Sequence, residues 1–326
     1  MKRNKSLFCL SKIVLALGLS LAVFSCKTAP QVATVPVYAF DVLDDEGAMY
    51  IHIPVAENKE LSQKLVLAYT KGMSESDANL LVSKLEDVYA SFGSRADKKR
   101  VQIAVEGSLP SVASSFLKKD GYEEKKYNAK GFTDFSPVYS YFAKDKMQLA
   151  FPGSNIICIS PNVLPMLDLY EKEFEILNGI GNSEIDFVTE YRSEWQSSDL
   201  YKWICEDVPS IHFYIVRPQA FLSNLIGSDV SSRVFKLVFA KGNFSKLPND
   251  KYELTLDLEF QNEKYVKPAI SMLILTLGLT DSEIKRVSPT HIIGFNPTAN
   301  ADFTFLFTVS SVSAKYCLLS ECPIIT

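Results

Sequence analysis

Residues 252–260, YELTLDLEF, alternate without a break: Tyr252, Leu254, Leu256, Leu258 and Phe260 fall on one side, Glu253, Thr255, Asp257 and Glu259 on the other. Successive side chains of a strand point to opposite faces, so this run predicts an antiparallel strand with one dry and one wet face. A different rhythm governs SESDANLLVSKLEDVYASFG. Ala78, Leu81, Val82, Leu85, Val88, Tyr89 and Phe92 recur at helical spacing, with Ser76 placed as an N-cap and Gly93 as a stop. We read Ser76–Phe92 as the clearest helix in the chain.

The remaining pattern is mixed. Strands are expected in VYAFDV and MYIHIPV on either side of the turn LDDEG, and in VQIAVEG, YEEKKYN, VYSYFAK, MQLAFPG, NIICIS, SIHFYIV, RVFKLVFAKG, HIIGF and ADFTFLFTVSS. Helices are expected in ENKELSQKLVLAYTKG, PSVASSFLKKDG, VLPMLDLYEKEFEIL, PQAFLSNLIG and KPAISMLILTLGL. Three strand motifs recur in the same order in the two halves: YIHIPV with SIHFYIV, RVQIAVEGSL with RVFKLVFAKGNF, and NIICISP with THIIGFNP. This predicts an α+β protein of two related ferredoxin-like units, each a mostly antiparallel sheet with helices on one face. The first unit spans 38–182 and the second 210–326, with an aromatic-rich connector at 183–209.

The N-terminus follows another logic. Lys2, Arg3, Lys5 and Lys12 precede an apolar run from Ile13 to Phe24, and Ser25 stands before Cys26. Positive charge, a short apolar core and a small residue at the cut form a secretory signal, too short to span a bilayer. Residues 21–26, LAVFSC, resemble the lipobox of bacterial lipoproteins, in the relaxed form found in spirochaetes, with Val23 and Phe24 in place of the commoner leucine and small residue. The resemblance implies cleavage after residue 25 and a lipid on Cys26, which then begins the mature chain. Residues 26–37, with two prolines, form a tether. Attachment to a bacterial envelope membrane, facing the periplasm or the surface, follows from the lipid.

Composition narrows the function. The formal charge of −4 becomes −8 when the four cations before Cys26 leave, which excludes nucleic acid as a partner, since phosphates demand a basic footprint. Cys158 in NIICIS reads as a core thiol and Cys205 is unassigned. Cys317 and Cys322 are spaced to close a small loop as a disulfide. No paired cysteine or histidine spacing suits zinc, and no cofactor is expected.

Catalytic signals are thin. His52, His212 and His291 each stand near the start of a strand, without HExxH, GxSxG or a P-loop in the chain. The carboxylates Asp257 and Glu259, and the acidic turn Asp44, Asp45 and Glu46, read as solvated surface; an envelope hydrolase built on them is the weakest reading.

Two stretches point to binding instead. Tyr191, Arg192, Trp195, Tyr201 and Trp203 gather aromatic rings around a guanidinium, the composition of an interface anchor, and would equally serve to pack one unit on the other. Ala269–Leu279 is apolar nearly all round. It is a core helix or, through Ile270, Leu273, Ile274 and Leu277, the lining of an apolar pocket. The leading expectation is a non-enzymatic envelope lipoprotein acting as an interaction or structural module, membrane-bound through its lipid and presenting a surface for a protein partner. The alternative is a carrier of a lipid or another hydrophobic ligand.

Overall fold

Among the described residues each strand pairs antiparallel with its neighbours, and twelve strands join into one sheet in the order β11-β12-β10-β9-β8-β1-β2-β3-β7-β6-β5-β4. The structure, a computed structural model, describes residues 34–69, 74–93, 100–108, 113–119, 121–134, 136–180, 192–216, 218, 236–248, 251–277 and 283–299. The strands are β1 (Met49–Pro54), β2 (Leu85–Phe92), β3 (Val101–Gly107), β4 (Glu123–Asn128), β5 (Val138–Lys144), β6 (Met147–Ala150), β7 (Ile156–Ser160), β8 (Ile211–Ile215), β9 (Leu237–Lys246), β10 (Tyr252–Phe260), β11 (Ile284–Arg286) and β12 (His291–Ala299). Helices are α1 (Lys59–Tyr69), α2 (Glu75–Val82), α3 (Ala113–Lys119), α4 (Leu164–Leu177), α5 (192–197), α6 (Asp199–Ile204) and α7 (Val266–Leu277).

Strands β1–β7 form one contiguous block of the sheet and β8–β12 the other. The blocks meet at the β1–β8 pair, where Met49–His52 lie opposite Ile215–His212. On one face of this seam Met49, Ile51, Ile53, Ile211, Phe213 and Ile215 join a core with Leu61 of α1 and Val266 and Ala269 of α7. On the other, Tyr50 and Tyr89 pack with Met166, Leu167 and Tyr170 of α4. Helices therefore lie on both faces of the sheet, a correction to the one-sided units expected. The reason lies in β1, β2, β3 and β7, whose residues are largely buried on both faces, so each face needs a cover.

Local chemistry sets several boundaries. Ser74, not Ser76, caps α2, its Oγ accepting from Asp77 N–H at 3.1 Å. The helix stops at Val82 and residues 85–92 form β2, so the long helix expected is half helix and half strand. Asp145 takes φ 54° in the two-residue turn between β5 and β6, a left-handed conformation that Asp tolerates. The run expected as a strand at 38–42 contains instead a short 3-10 helix, Ala39–Val42.

A row of acids on α4 fastens β4 and β5. Asp168 Oδ2 accepts from Tyr127 O–H at 3.0 Å, Glu171 Oε2 from Tyr139 O–H at 2.6 Å, and buried Glu175 from the Phe132 and Thr133 backbone. Spacings of three and four put these carboxylates on one helix face. The ends of the described sheet are β4, with Glu123, Glu124, Lys125 and Lys126 exposed, and the three-residue β11. No helix among the described residues is long and apolar enough to cross a membrane.

Candidate functional site

Within the connector α5 is followed by α6, whose N-cap is Ser198; its Oγ accepts from Tyr201 N–H at 3.1 Å. This cap fixes where α6 starts and so aims Tyr201 inward. There it meets Phe40, which is 1% exposed. The Phe40 ring lies 5.9 Å from Trp195, nearly parallel at 13°, and 5.3 Å from Tyr201, edge-on at 66°. Tyr50 and Tyr89, at 5.9 and 5.6 Å, complete the socket. Such offset and edge contacts add about 0.5–1.5 kcal/mol per pair beyond burial.

Beside the socket, Arg192 joins two carboxylates from separate elements. Its Nε lies 2.6 Å from Glu173 Oε2 on α4 and its Nη2 3.5 Å from Asp41 Oδ2. Tyr201 O–H donates to Asp41 Oδ1 at 3.0 Å. Burial raises the Asp41 carboxyl, although Tyr201 and Arg192 pull it back. Burial pushes Glu173 up to about 7, against Arg192 and helped by the Asp41 charge. The Cys205 thiol is pushed up to about 12, first by burial and then by Asp41, so it stays protonated and unreactive at neutral pH.

Trp203 sits apart from this group. Its Nε1–H donates to Phe213 O at 3.1 Å, its ring stacks on His212 at 4.6 Å, and Lys241 Nζ stands 4.8 Å from its centroid. Among the five residues singled out in the connector, Arg192, Trp195 and Tyr201 thus converge on Phe40 and Asp41, while Trp203 covers the seam. Tyr191 lies outside the described residues, as do Cys26, Cys317 and Cys322. Cys158 is a buried free thiol.

The three histidines occupy separate polar settings. His52 and His212 face each other across β1 and β8. His212 Nδ1–H donates to Trp203 O at 2.6 Å, which leaves Nε2 to accept from Ser210 O–H at 3.0 Å. Burial lowers the His212 pKa and keeps the ring neutral. His52 Nε2 meets Asp87 Oδ1 at 2.7 Å. His291 Nε2 lies 2.5 Å from Asp257 Oδ1, and Thr290 O–H donates to Glu259 at 2.7 Å. Asp257 and Glu259 are therefore partnered on the sheet, not loose surface acids.

A cleft of about 460 Å³ opens where β1 ends and β2 begins, beside the loop before β8, lined by Pro54, Glu57, Leu85, Glu86, Asp87 and Asp207, among others. Behind it Glu106 is raised to about 7 by burial and by Asp87 and Glu86. Among the described residues no three His, Cys, Asp or Glu side chains are placed to hold a metal ion. On α7, Val266 and Ala269 are buried and Ile270 and Ile274 half-buried. Leu273 and Leu277 fall on the same helix, but their side chains lie outside the described residues.

Sequence reasoning missed Phe40 and Asp41. YAFDV carries a strand-like pattern, and nothing local marks an aspartate whose partners lie as far as 160 residues away.

Solved structures and a family model place this architecture among known proteins. No curated protein matches the chain. Crystal form I of TP0453 superposes with a TM-score of 0.57 at 18% identity, covering 86% of this chain and 99% of that one. Crystal form III gives 0.57 at 18% over 85% and 98%, and form IV 0.53 at 16% over 85% and 97%. At these identities the likeness shows the fold. The family model of the outer membrane-associated lipoprotein TP0453 matches residues 34–292. The chain belongs to the TP0453 family of outer membrane-associated lipoproteins.

Proposed function

We propose that the mature chain is anchored through lipid on Cys26 and acts in the envelope as a non-enzymatic interaction or structural module. The observation that carries this reading is the use made of the connector. Its guanidinium, two of its aromatic rings and the carboxylates around them hold segment 36–43, which takes in the last two residues of the stretch expected as tether. Chemistry spent on bracing the chain beside its anchor suits a load-bearing or positioning role.

Metabolic labelling with a radioactive or alkyne-bearing fatty acid tests the anchor. The full chain is expected to take up label and sediment with membranes, whereas Cys26→Ser takes up none and moves to the soluble fraction. Label retained by Cys26→Ser would sink the assignment, because the fatty acid would then be carried by another residue.

A second reading, a carrier of a lipid or other hydrophobic ligand, is favoured by α7. Two half-buried isoleucines, Ile270 and Ile274, remain on a helix that is apolar through most of its length. The Cys26→Ser chain, weighed under native and denaturing conditions after expression with lipid present, reads this directly. A carrier shows a few hundred daltons of extra mass lost on denaturation. A bare chain from lipid-fed cells removes the reading.

A further inference from the structure

Residues 36–43 are held in an unusual way. Val37, Ala39, Phe40, Val42 and Leu43 are each 3% exposed or less, as deeply buried as the sheet's own core. Their backbone nevertheless makes no ladder with the sheet. Its hydrogen bonds close locally, Asp41 N–H to Tyr38 O and Leu43 N–H to Phe40 O, each at 3.1 Å. A segment buried by side chains alone can leave without breaking a strand pairing, unlike β1 six residues further on.

We propose that residues 36–43 are a releasable strap, fastened by Phe40 in its aromatic socket and by the single Arg192 guanidinium that Asp41 of the strap shares with Glu173 of α4, and that pH governs its release.

The charge count gives the direction. One cation serves two carboxylates in a mostly buried place. The other ionisable groups that face them from packed elements are Tyr201 and Cys205 of α6, Tyr89 of β2 and Glu106 of β3. None of these supplies positive charge. With one proton on the pair the triad is neutral, and with both carboxylates ionised it carries a net negative charge. Burial raises Asp41 and Glu173 above their unfolded values of 3.8 and 4.5, Glu173 to about 7. A raised folded value means stabilisation fully present below the unfolded value and lost as pH rises through the folded one. The strap is therefore tight in mild acid and loosens as pH climbs through about 7. Release carries Phe40 out of its socket and adds residues 36–43 to the free chain ahead of β1. The inference concerns the folded body and does not depend on how Cys26 is modified.

Amide hydrogen exchange on the full chain in detergent, read by mass spectrometry and corrected for the intrinsic pH dependence of exchange, tests it. Peptides covering 37–45 are expected to lose at least about tenfold in protection between pH 6 and pH 8.5, since each displaced pKa unit corresponds to tenfold. Peptides from β1 and α4 should hold theirs. Glu173→Gln, which removes one of the competing charges, is expected to keep the strap protected at pH 8.5. Phe40→Leu should lower protection at every pH and leave the pH profile unchanged. Corrected protection that is flat with pH in the native chain overturns the proposal. So does an equal loss in β1, which would report global opening, or a Glu173→Gln chain with the native pH profile.

Discussion

Phe40→Ala is expected to cost the protein about 3–5 kcal/mol, the range for deleting a buried phenylalanine and leaving a cavity behind. The site cannot collapse to refill the space. Trp195, Tyr201, Tyr50 and Tyr89 approach the ring from different elements at 5.3–5.9 Å, and each is tied to its own strand or helix. For a body of this size the loss corresponds to a melting temperature lower by about 10 °C. Fluorescence gives a local readout. The chain has two tryptophans, so in a Trp203→Phe background the signal is that of Trp195, whose emission should shift to the red as water reaches the face that Phe40 covered. A cost below about 1 kcal/mol, or an unmoved Trp195 spectrum, would show that the socket does not grip this ring.

Arg192→Met should be nearly as damaging, for an electrostatic reason and with a pH signature. The substitution keeps the aliphatic stem and removes the charge between Asp41, whose side chain is 2% exposed, and Glu173, at 15%. Removing one partner of a buried ion pair costs about 3–5 kcal/mol because the remaining charge is left uncompensated. The lower figure applies here, since the Glu173 side keeps some contact with water. Without the cation both carboxyls rise further, so the folded chain binds protons over a wider range than the unfolded one, and the cost shrinks as pH falls. Urea midpoints at pH 8 and pH 5.5 should show a deficit of about 3 kcal/mol at the higher pH and much less at the lower. The combined Asp41→Asn, Glu173→Gln, Arg192→Met chain should recover most of the loss, because an uncharged set of similar shape replaces a buried ionic one at little cost. A deficit equal at both pH values would falsify the shared-guanidinium account.

How much of this was legible beforehand can be judged element by element. The alternation in YELTLDLEF gives β10 its full span, Tyr252–Phe260, because that strand has one dry face and one wetter one. The same test fails at residues 85–92. There Val88, Ala90 and Phe92 face one side and Tyr89 and Ser91 the other, and much of the strand is buried on both. A strand covered twice shows no period of two, and its apolar residues happened to match a helical period. Pairing with β1 and β3 decided the outcome, which local propensity cannot see. The connector was visible as a cluster of rings around Arg192, since composition alone marks it. Its occupant was not visible. Phe40 and Asp41 become meaningful only once the chain has folded a segment from its beginning against one from its middle. The two histidines that matched in the recurring motifs turn out to be cross-strand neighbours, because β1 and β8 are the strands that join the two blocks.

The ends of the sheet bear on life in a crowded membrane layer. Proteins tethered to one surface diffuse in two dimensions and collide far more often than the same number in solution, so any open strand edge is repeatedly offered a neighbour to extend. The outermost strands answer this in two ways. At one end β4 presents Glu123, Glu124, Lys125 and Lys126, with Glu124 held to Lys118 at 2.5 Å, and docking another strand there means stripping water from those charges. At the other end of the described sheet β11 offers three residues, too few to nucleate a stable ladder. For a lipoprotein held at high surface density, edges of this kind on the described sheet oppose strand-to-strand association.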